Sequence, residues 1–418
     1  MIKYEKFVLP NGLRVLIHED PHSSMACMNI LYDVGARDEQ EDKTGFAHLF
    51  EHLMFSGSVH IPSYDQPLQR VGGENNAFTS NDITNYYITL PANNLETAFW
   101  LESDRMMGLA FNEQGLEVQR NVVIEEFKQR YLNQPYGDVW LRLRELAYQV
   151  HPYKWATIGK EIKHIEEAKM EDVKAFFKKF YAPNNAIMAI TGNVKLEEVK
   201  QLTEKWFGDI PASEPNLRNI PQEPRQLAPR KLEVNAAVPV DAVYLAFHTV
   251  DRLHDDYYIA DLLTDVLSRG TSARLYRRLV KERHLFSEVN AYVLGSIDNN
   301  LIVVEGKPHE AVSIEEAEKA LWHELEALSN ESISEEELTK VKNKVESTMR
   351  FAELSILDKA MNLSFYELLG NADLYNQEIE KYMQVSCTDI QRFAKETFRK
   401  ENSSTLIYLA QKKGAYAE

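Results

Sequence analysis

The spacing of apolar side chains near the start of the chain predicts strands at residues 6–9 and 13–17, separated by an Asn11-Gly12 turn, and a mostly apolar strand at 25–34. Polar residues 35–43 lead into a stretch in which Leu49, Phe50, Leu53, Met54 and Phe55 make a helix apolar nearly all round, ended by Ser56-Gly57. A helix of that kind is buried, so the ionisable residues inside it need partners. At 100° per residue, His48 and His52 lie about 40° apart and Glu51 about 60° to one side of His48, so all three share one face. Further along, the pattern predicts a helix at 63–71 stopped by Gly72-Gly73 and a Thr/Tyr/Ile-rich strand at 83–90. Helices at 95–109, 115–132, 139–147 and 170–180 and a strand at 186–191 follow.

Five of the fifteen prolines fall between Pro211 and Pro229, which predicts a stiff, extended linker. Beyond it the pattern restarts. Residues 172–176 and 181–190 match 389–393 and 398–407 at a constant offset of 217, and the same shift lays 25–34 on the apolar segment 242–251. The expectation is a duplicated domain: 1–210, a linker at 211–231, and 232–418. The shift carries His48, Glu51 and His52 onto Asp265, Ser268 and Arg269, so the second copy keeps the fold without the ionisable cluster.

At 418 residues the chain suits two domains of about 200 residues. A net charge of −17 argues against a nucleic-acid partner and is compatible with cationic peptides. Cys27 and Cys387 have no ligand-type spacing and read as buried thiols. No run approaches a membrane span and the start lacks an apolar signal core, so the expected location is cytoplasmic, or periplasmic where a leader has been removed. Glu335-Glu336-Glu337 and Lys412-Lys413 read as solvated faces, and Ser268 to Ser272, lacking a Walker-type Lys, as a plain connection.

Two neutral imidazoles at i and i+4 converge on a divalent metal, and the carboxylate between them is set to handle a water activated by that metal. The order, His first and Glu-His last, is the inverzincin order. Catalytic zinc sites usually have a third protein ligand. The segment 116–131 offers one: relative to its apolar stripe through Leu116, Val123, Phe127 and Tyr131, Glu126 lies about 60° from Val123, while Glu125 points about 160° away. Glu126 can therefore face the core, although a Glu beside an apolar stripe is often a flanking surface residue, and Glu125 faces water.

His48-Leu49-Phe50-Glu51-His52, the stretch Gly73 to Ser80, Thr84-Asn85-Tyr86-Tyr87, the stretch Arg120 to Glu126 and Tyr181-Ala182-Pro183-Asn184-Asn185-Ala186 together resemble the M16, pitrilysin-type, metallopeptidases over nearly the whole chain. The half-length members, which include the mitochondrial processing peptidase subunits, match best. The resemblance implies an α+β fold of two similar domains, each a mainly antiparallel sheet packed with helices. It implies one Zn2+ per chain held by His48, His52 and Glu126, Glu51 as general base, and hydrolysis of unfolded peptides by an endopeptidase. It also implies an edge strand at Asn76, Ala77, Phe78, Thr79 and Ser80 to which the peptide adds as a further strand. The partner it implies is a related M16-like subunit, in a heterodimer, or a second copy of the chain, in a homodimer.

The chain departs from the family pattern in two places. Gln119 stands where many relatives carry a Glu seven residues before the third ligand, which weakens support for the metal. In the second domain, where relatives carry an Arg and a Tyr that hold substrate, the chain has Arg278 but Ser287 at the Tyr position, with Tyr292 as the residue to fill the gap. That asymmetry favours a zinc-bearing subunit completed by a partner. The alternative is a non-catalytic core subunit of the same fold, as in a respiratory complex.

Overall fold

The computed structural model describes residues 1–411; the Lys412-Lys413 pair lies outside the described residues. Two compact units form, neither contiguous in sequence. The first comprises Met1–Phe127, Trp155–Ile220 and Thr348–Glu378, and the second Lys128–Lys154, Pro221–Ser347 and the chain from Ile379 onward.

The first unit holds β1 (Glu5–Val8), β2 (Arg14–Glu19), β3 (Met25–Tyr32), β4 (Glu74–Thr79), β5 (Thr84–Pro91) and β6 (Ala186–Gly192), in the order β1-β2-β6-β3-β5-β4. Neighbours are antiparallel except β2 with β6. Asn11-Gly12 closes the β1–β2 hairpin with Gly12 at φ +89°, a left-handed value that suits glycine. β6 is buried along its whole length, as an apolar run on a central strand should be, whereas rim strand β4 alternates exposed and half-buried residues. The helix Ile356–Leu368, from the far end of the chain, packs on β3 and β6. Its Ala360 and Leu363 join Leu16, Cys27, Leu31, Ile187 and Ala189 in one core, where each fully buried leucine or isoleucine contributes about 1.5–3 kcal/mol.

The second unit holds β7 (Arg230–Ala236), β8 (Ala242–His248), β9 (Phe286–Val293), β10 (Leu301–Pro308) and β11 (Ser403–Ala410), in the order β7-β11-β8-β10-β9, with only β7 and β11 parallel. Here the covering helix, Val139–Ala147, comes from the first half of the chain, and its Val139, Leu143 and Ala147 pack with Tyr244, Ala246 and Leu406. The strand order repeats β2-β6-β3-β5-β4 of the first unit. The 217-residue spacing recurs in the strand starts, Met25 of β3 against Ala242 of β8 and Thr84 of β5 against Leu301 of β10. At the positions matching His48 and His52, Asp265 and Arg269 form an ion pair at 3.0 Å, and Ser268, matching Glu51, donates its hydroxyl to the Ala291 carbonyl.

Residues 211–229 carry no helix or strand, and Arg218 within them pairs with Asp33 and Asp38. The helix expected at 115–132 is Glu113–Phe127 followed by a π-helical turn, Lys128–Leu132. Both cysteines are free and buried. Among the described residues no helix is long and apolar enough to cross a membrane.

Candidate metal centre

The ionisable cluster sits on helix α1 (Phe46–Leu53) of the first unit, held from several sides. Gly45 takes the left-handed conformation at its N-terminus, φ +89°, and a Cβ there would lie 2.6 Å from the Ile158 carbonyl oxygen, so no other residue fits without a shift. The buried Glu39 carboxylate accepts the Gly45 and Ala47 N–H groups at 2.9 and 2.8 Å, satisfying two of the donors that every helix start leaves open. Burial pushes that carboxyl up to about 8, while the two N–H donors pull it the other way. On the apolar side, the Phe50 ring stacks on Phe176 and Tyr181 at 4.9 and 5.2 Å.

On the polar side α1 packs against helix Glu113–Phe127, and His48, His52 and Glu126 offer ligand atoms that all lie within 4.8 Å of one another. Nε2 of His48 and Nε2 of His52 are 3.7 and 3.5 Å from the same Glu126 oxygen. Two ligand atoms each about 2.0–2.2 Å from a tetrahedral zinc ion would stand roughly 3.3–3.6 Å apart; the 3.5 Å spacing falls in that range, the 3.7 Å spacing lies just beyond it, and the two-imidazole, one-carboxylate donor set suits zinc. The imidazole rings are 4.9 Å apart and nearly perpendicular, so their nitrogens approach from different directions. Glu125, one residue before Glu126, is exposed, in keeping with the helical phase.

Glu51 is reached from the sheet. Thr79, the last residue of β4, donates its hydroxyl to Glu51 Oε2 at 2.7 Å. β4 is the outermost strand, with no strand paired beyond it among the described residues. Asn76, Ala77, Phe78 and Thr79 lie on it, whereas Ser80 lies one residue past its end, where its hydroxyl accepts from the Asp82 and Ile83 N–H groups and shapes the turn into β5. The Gln119 amide donates to Ser56 Oγ, just past α1, at 2.9 Å.

In the second unit Arg278 is bound to Glu324 at 2.7 Å, and Ser287 donates to the Lys307 carbonyl. Ser287 and Tyr292 both stand on rim strand β9. The Tyr292 hydroxyl donates to Glu305 at 3.1 Å, and burial with Glu305 beside it raises its pKa.

Sequence reasoning missed the support beneath α1. Arg105 is 1% exposed and binds Glu102 through Nε and Nη2 at 2.8 and 2.7 Å. Tyr64 donates to the same carboxylate, and the guanidinium lies over the rings of Tyr86, Tyr64 and Phe55 at 4.4, 4.7 and 5.3 Å. The available signal was a helix, Leu95–Met107, whose charged residues are not confined to one face. Periodicity alone does not say that two of them neutralise each other inside.

Comparison with known proteins bears on the family and the fold. The model described as insulinase, peptidase family M16, matches residues 14–161, and the model described as the M16 inactive domain matches 168–345. The zinc protease PqqE of Helicobacter pylori is 29% identical over 97% of this chain and 93% of its own length. The mitochondrial-processing peptidase subunit beta of Saccharomyces cerevisiae is 28% identical over 60% of this chain and 55% of its own length. A crystal structure of a protease from Helicobacter pylori superposes with a TM-score of 0.92 at 28% identity, covering 98% of this chain and all of the other. With both halves matched by family models and the same two-sheet architecture from end to end, the chain belongs to the M16 family of peptidases.

Proposed function

We propose that the chain is a zinc-dependent endopeptidase of unfolded peptides, holding one Zn2+ through His48, His52 and Glu126. The observation that carries this reading is the convergence of those three donors on the helix that also bears Glu51. A zinc ion bound there supplies Lewis acidity toward the scissile carbonyl and acidifies water. Glu51 takes a proton from the attacking water and returns it to the leaving amine, so one carboxylate serves as base and then acid. The open edge of β4 holds an extended peptide through main-chain hydrogen bonds, which tolerate any sequence, and the outward side chains Asn76 and Phe78 add mild selectivity.

The alternative, a non-catalytic core subunit, is disfavoured by the complete set His48, Glu51, His52 and Glu126. The match to an inactive-domain model covers 168–345, outside all four. We further propose that a related subunit supplies the substrate-holding groups of a heterodimer. In this chain's second unit Arg278 is committed to Glu324, Tyr292 to Glu305, and Ser287 stands at the expected Tyr position.

Glu51→Gln tests the catalytic reading. The variant should fold, bind zinc as the wild type does and lose peptide hydrolysis by about a thousandfold or more. Near-normal cleavage by zinc-loaded Glu51→Gln would refute it.

A further inference from the structure

We propose that Thr79 is a positioning residue for the base: its hydroxyl holds the Glu51 carboxylate from the strand on which the peptide pairs. The proposal rests on the peptidase reading above and deepens it.

Strand β4 alternates, with Glu74, Asn76 and Phe78 exposed and Asn75, Ala77 and Thr79 half-buried. The half-buried set faces α1, as the Thr79 hydroxyl on Glu51 Oε2 at 2.7 Å shows. The Ala77 N–H is accepted by the Asn76 side-chain oxygen of its own strand at 2.8 Å, so it points away from β5. In an antiparallel ladder residues two apart direct their main-chain groups to the same side, so Asn75, Ala77 and Thr79 turn theirs to the open edge. Thr79 thus carries both functions at once, with its main chain on the edge that takes a peptide strand and its hydroxyl on the base. Pairing a peptide along this edge orders the Thr79 backbone, and with it the direction of the hydroxyl. A threonine hydroxyl has one hydrogen to donate. Given to Oε2, it restrains the rotation of a flexible side chain and fixes the direction in which the carboxylate meets the proton being moved.

Thr79→Val keeps the shape and removes the donor, and Thr79→Ser keeps the donor. For zinc-loaded enzyme on a fluorogenic peptide, Thr79→Val should lower kcat about 10–100-fold with KM within about twofold, and Thr79→Ser should recover most of the loss. Zinc content should be unchanged in both. A raised KM at unchanged kcat, equal impairment of both variants, or a wild-type kcat in Thr79→Val would overturn the proposal. A second readout needs no turnover. In metal-free protein Thr79→Val should lower the thermal midpoint in the wild-type background and not in the Glu51→Ala background, and equal shifts in the two overturn the coupling. A zinc-loaded wild type that cleaves no peptide, alone or with a related subunit added, would instead remove the peptidase reading, and the catalytic part of this proposal with it, while the thermal cycle still decides the contact.

Discussion

Glu102→Gln tests the buried charge pair on the helix Leu95–Met107. Arg105 and Glu102 are each 1% exposed, and the guanidinium sits among aromatic rings. Removing the carboxylate charge leaves a cation with no water to replace its partner, and breaking a buried pair from one side costs about 3–5 kcal/mol. Glutamine keeps one oxygen for Arg105 or Tyr64, so the lower end, about 3 kcal/mol, is expected. For a unit of this size, that is a fall of roughly 6–12 °C in the unfolding midpoint. Replacing both partners, Glu102→Met with Arg105→Leu, removes the stranded charge and should be less destabilising than Glu102→Gln alone. Scanning calorimetry of the three proteins at one pH and salt concentration decides it. A shift under about 2 °C for Glu102→Gln, or a double variant less stable than the single one, would show that the pair is not the buried, desolvated contact described.

In the second unit, hydrogen bonds from the Arg274 guanidinium hold the Glu337 carboxyl down at about 2, against an ordinary 4.5. A depressed folded-state value means stability that is fully present above about 4.5 and lost as pH falls toward 2; allowing for partial exposure, about 2 kcal/mol is at stake. Thermal midpoints of wild type and Glu337→Gln should therefore differ at pH 7, draw together below about pH 4.5 and converge only near pH 2, and a gap independent of pH would be inconsistent with the pairing. Tyr292→Phe should change peptidase activity less than about twofold, because the hydroxyl is already given to Glu305, and addition of a related subunit should raise the activity of the chain well above its value alone. A tenfold loss in Tyr292→Phe, or full activity without a partner, would place substrate-holding groups in this chain's own second unit.

The grouping of the candidate site's side chains was largely legible in the sequence because it depends on local periodicity. The His48, Glu51 and His52 face follows from 100° per residue, and the phase from Val123 separates half-buried Glu126 from exposed Glu125. What periodicity conceals is the identity of the partner across a contact. The amphipathic helices Val139–Ala147 and Ile356–Leu368 declare a buried face but not which sheet takes it, and each packs with strands from the opposite half of the chain. The parallel pairs β2–β6 and β7–β11 are hidden for the same reason. Charged residues mislead in a related way. The run at Glu335 reads as solvated, yet Glu337 is bound by the buried Arg274, and the Arg105–Glu102 pair lies wholly inside. Glu39 carries no motif, and Thr79, read in the sequence only as part of the edge strand, gives no sign of its contact with Glu51, since both contacts depend on where α1 lies against the segments around it.

The central claim is that His48, His52 and Glu126 together hold zinc. Metal analysis of three purified proteins, wild type, Glu125→Gln and Glu126→Gln, tests it most directly, since the two variants differ only in which of two adjacent carboxylates is lost. The account predicts about one zinc per chain in wild type and Glu125→Gln and little or none in Glu126→Gln after dialysis against a mild chelator. Equal zinc in both variants, or loss confined to Glu125→Gln, would contradict it.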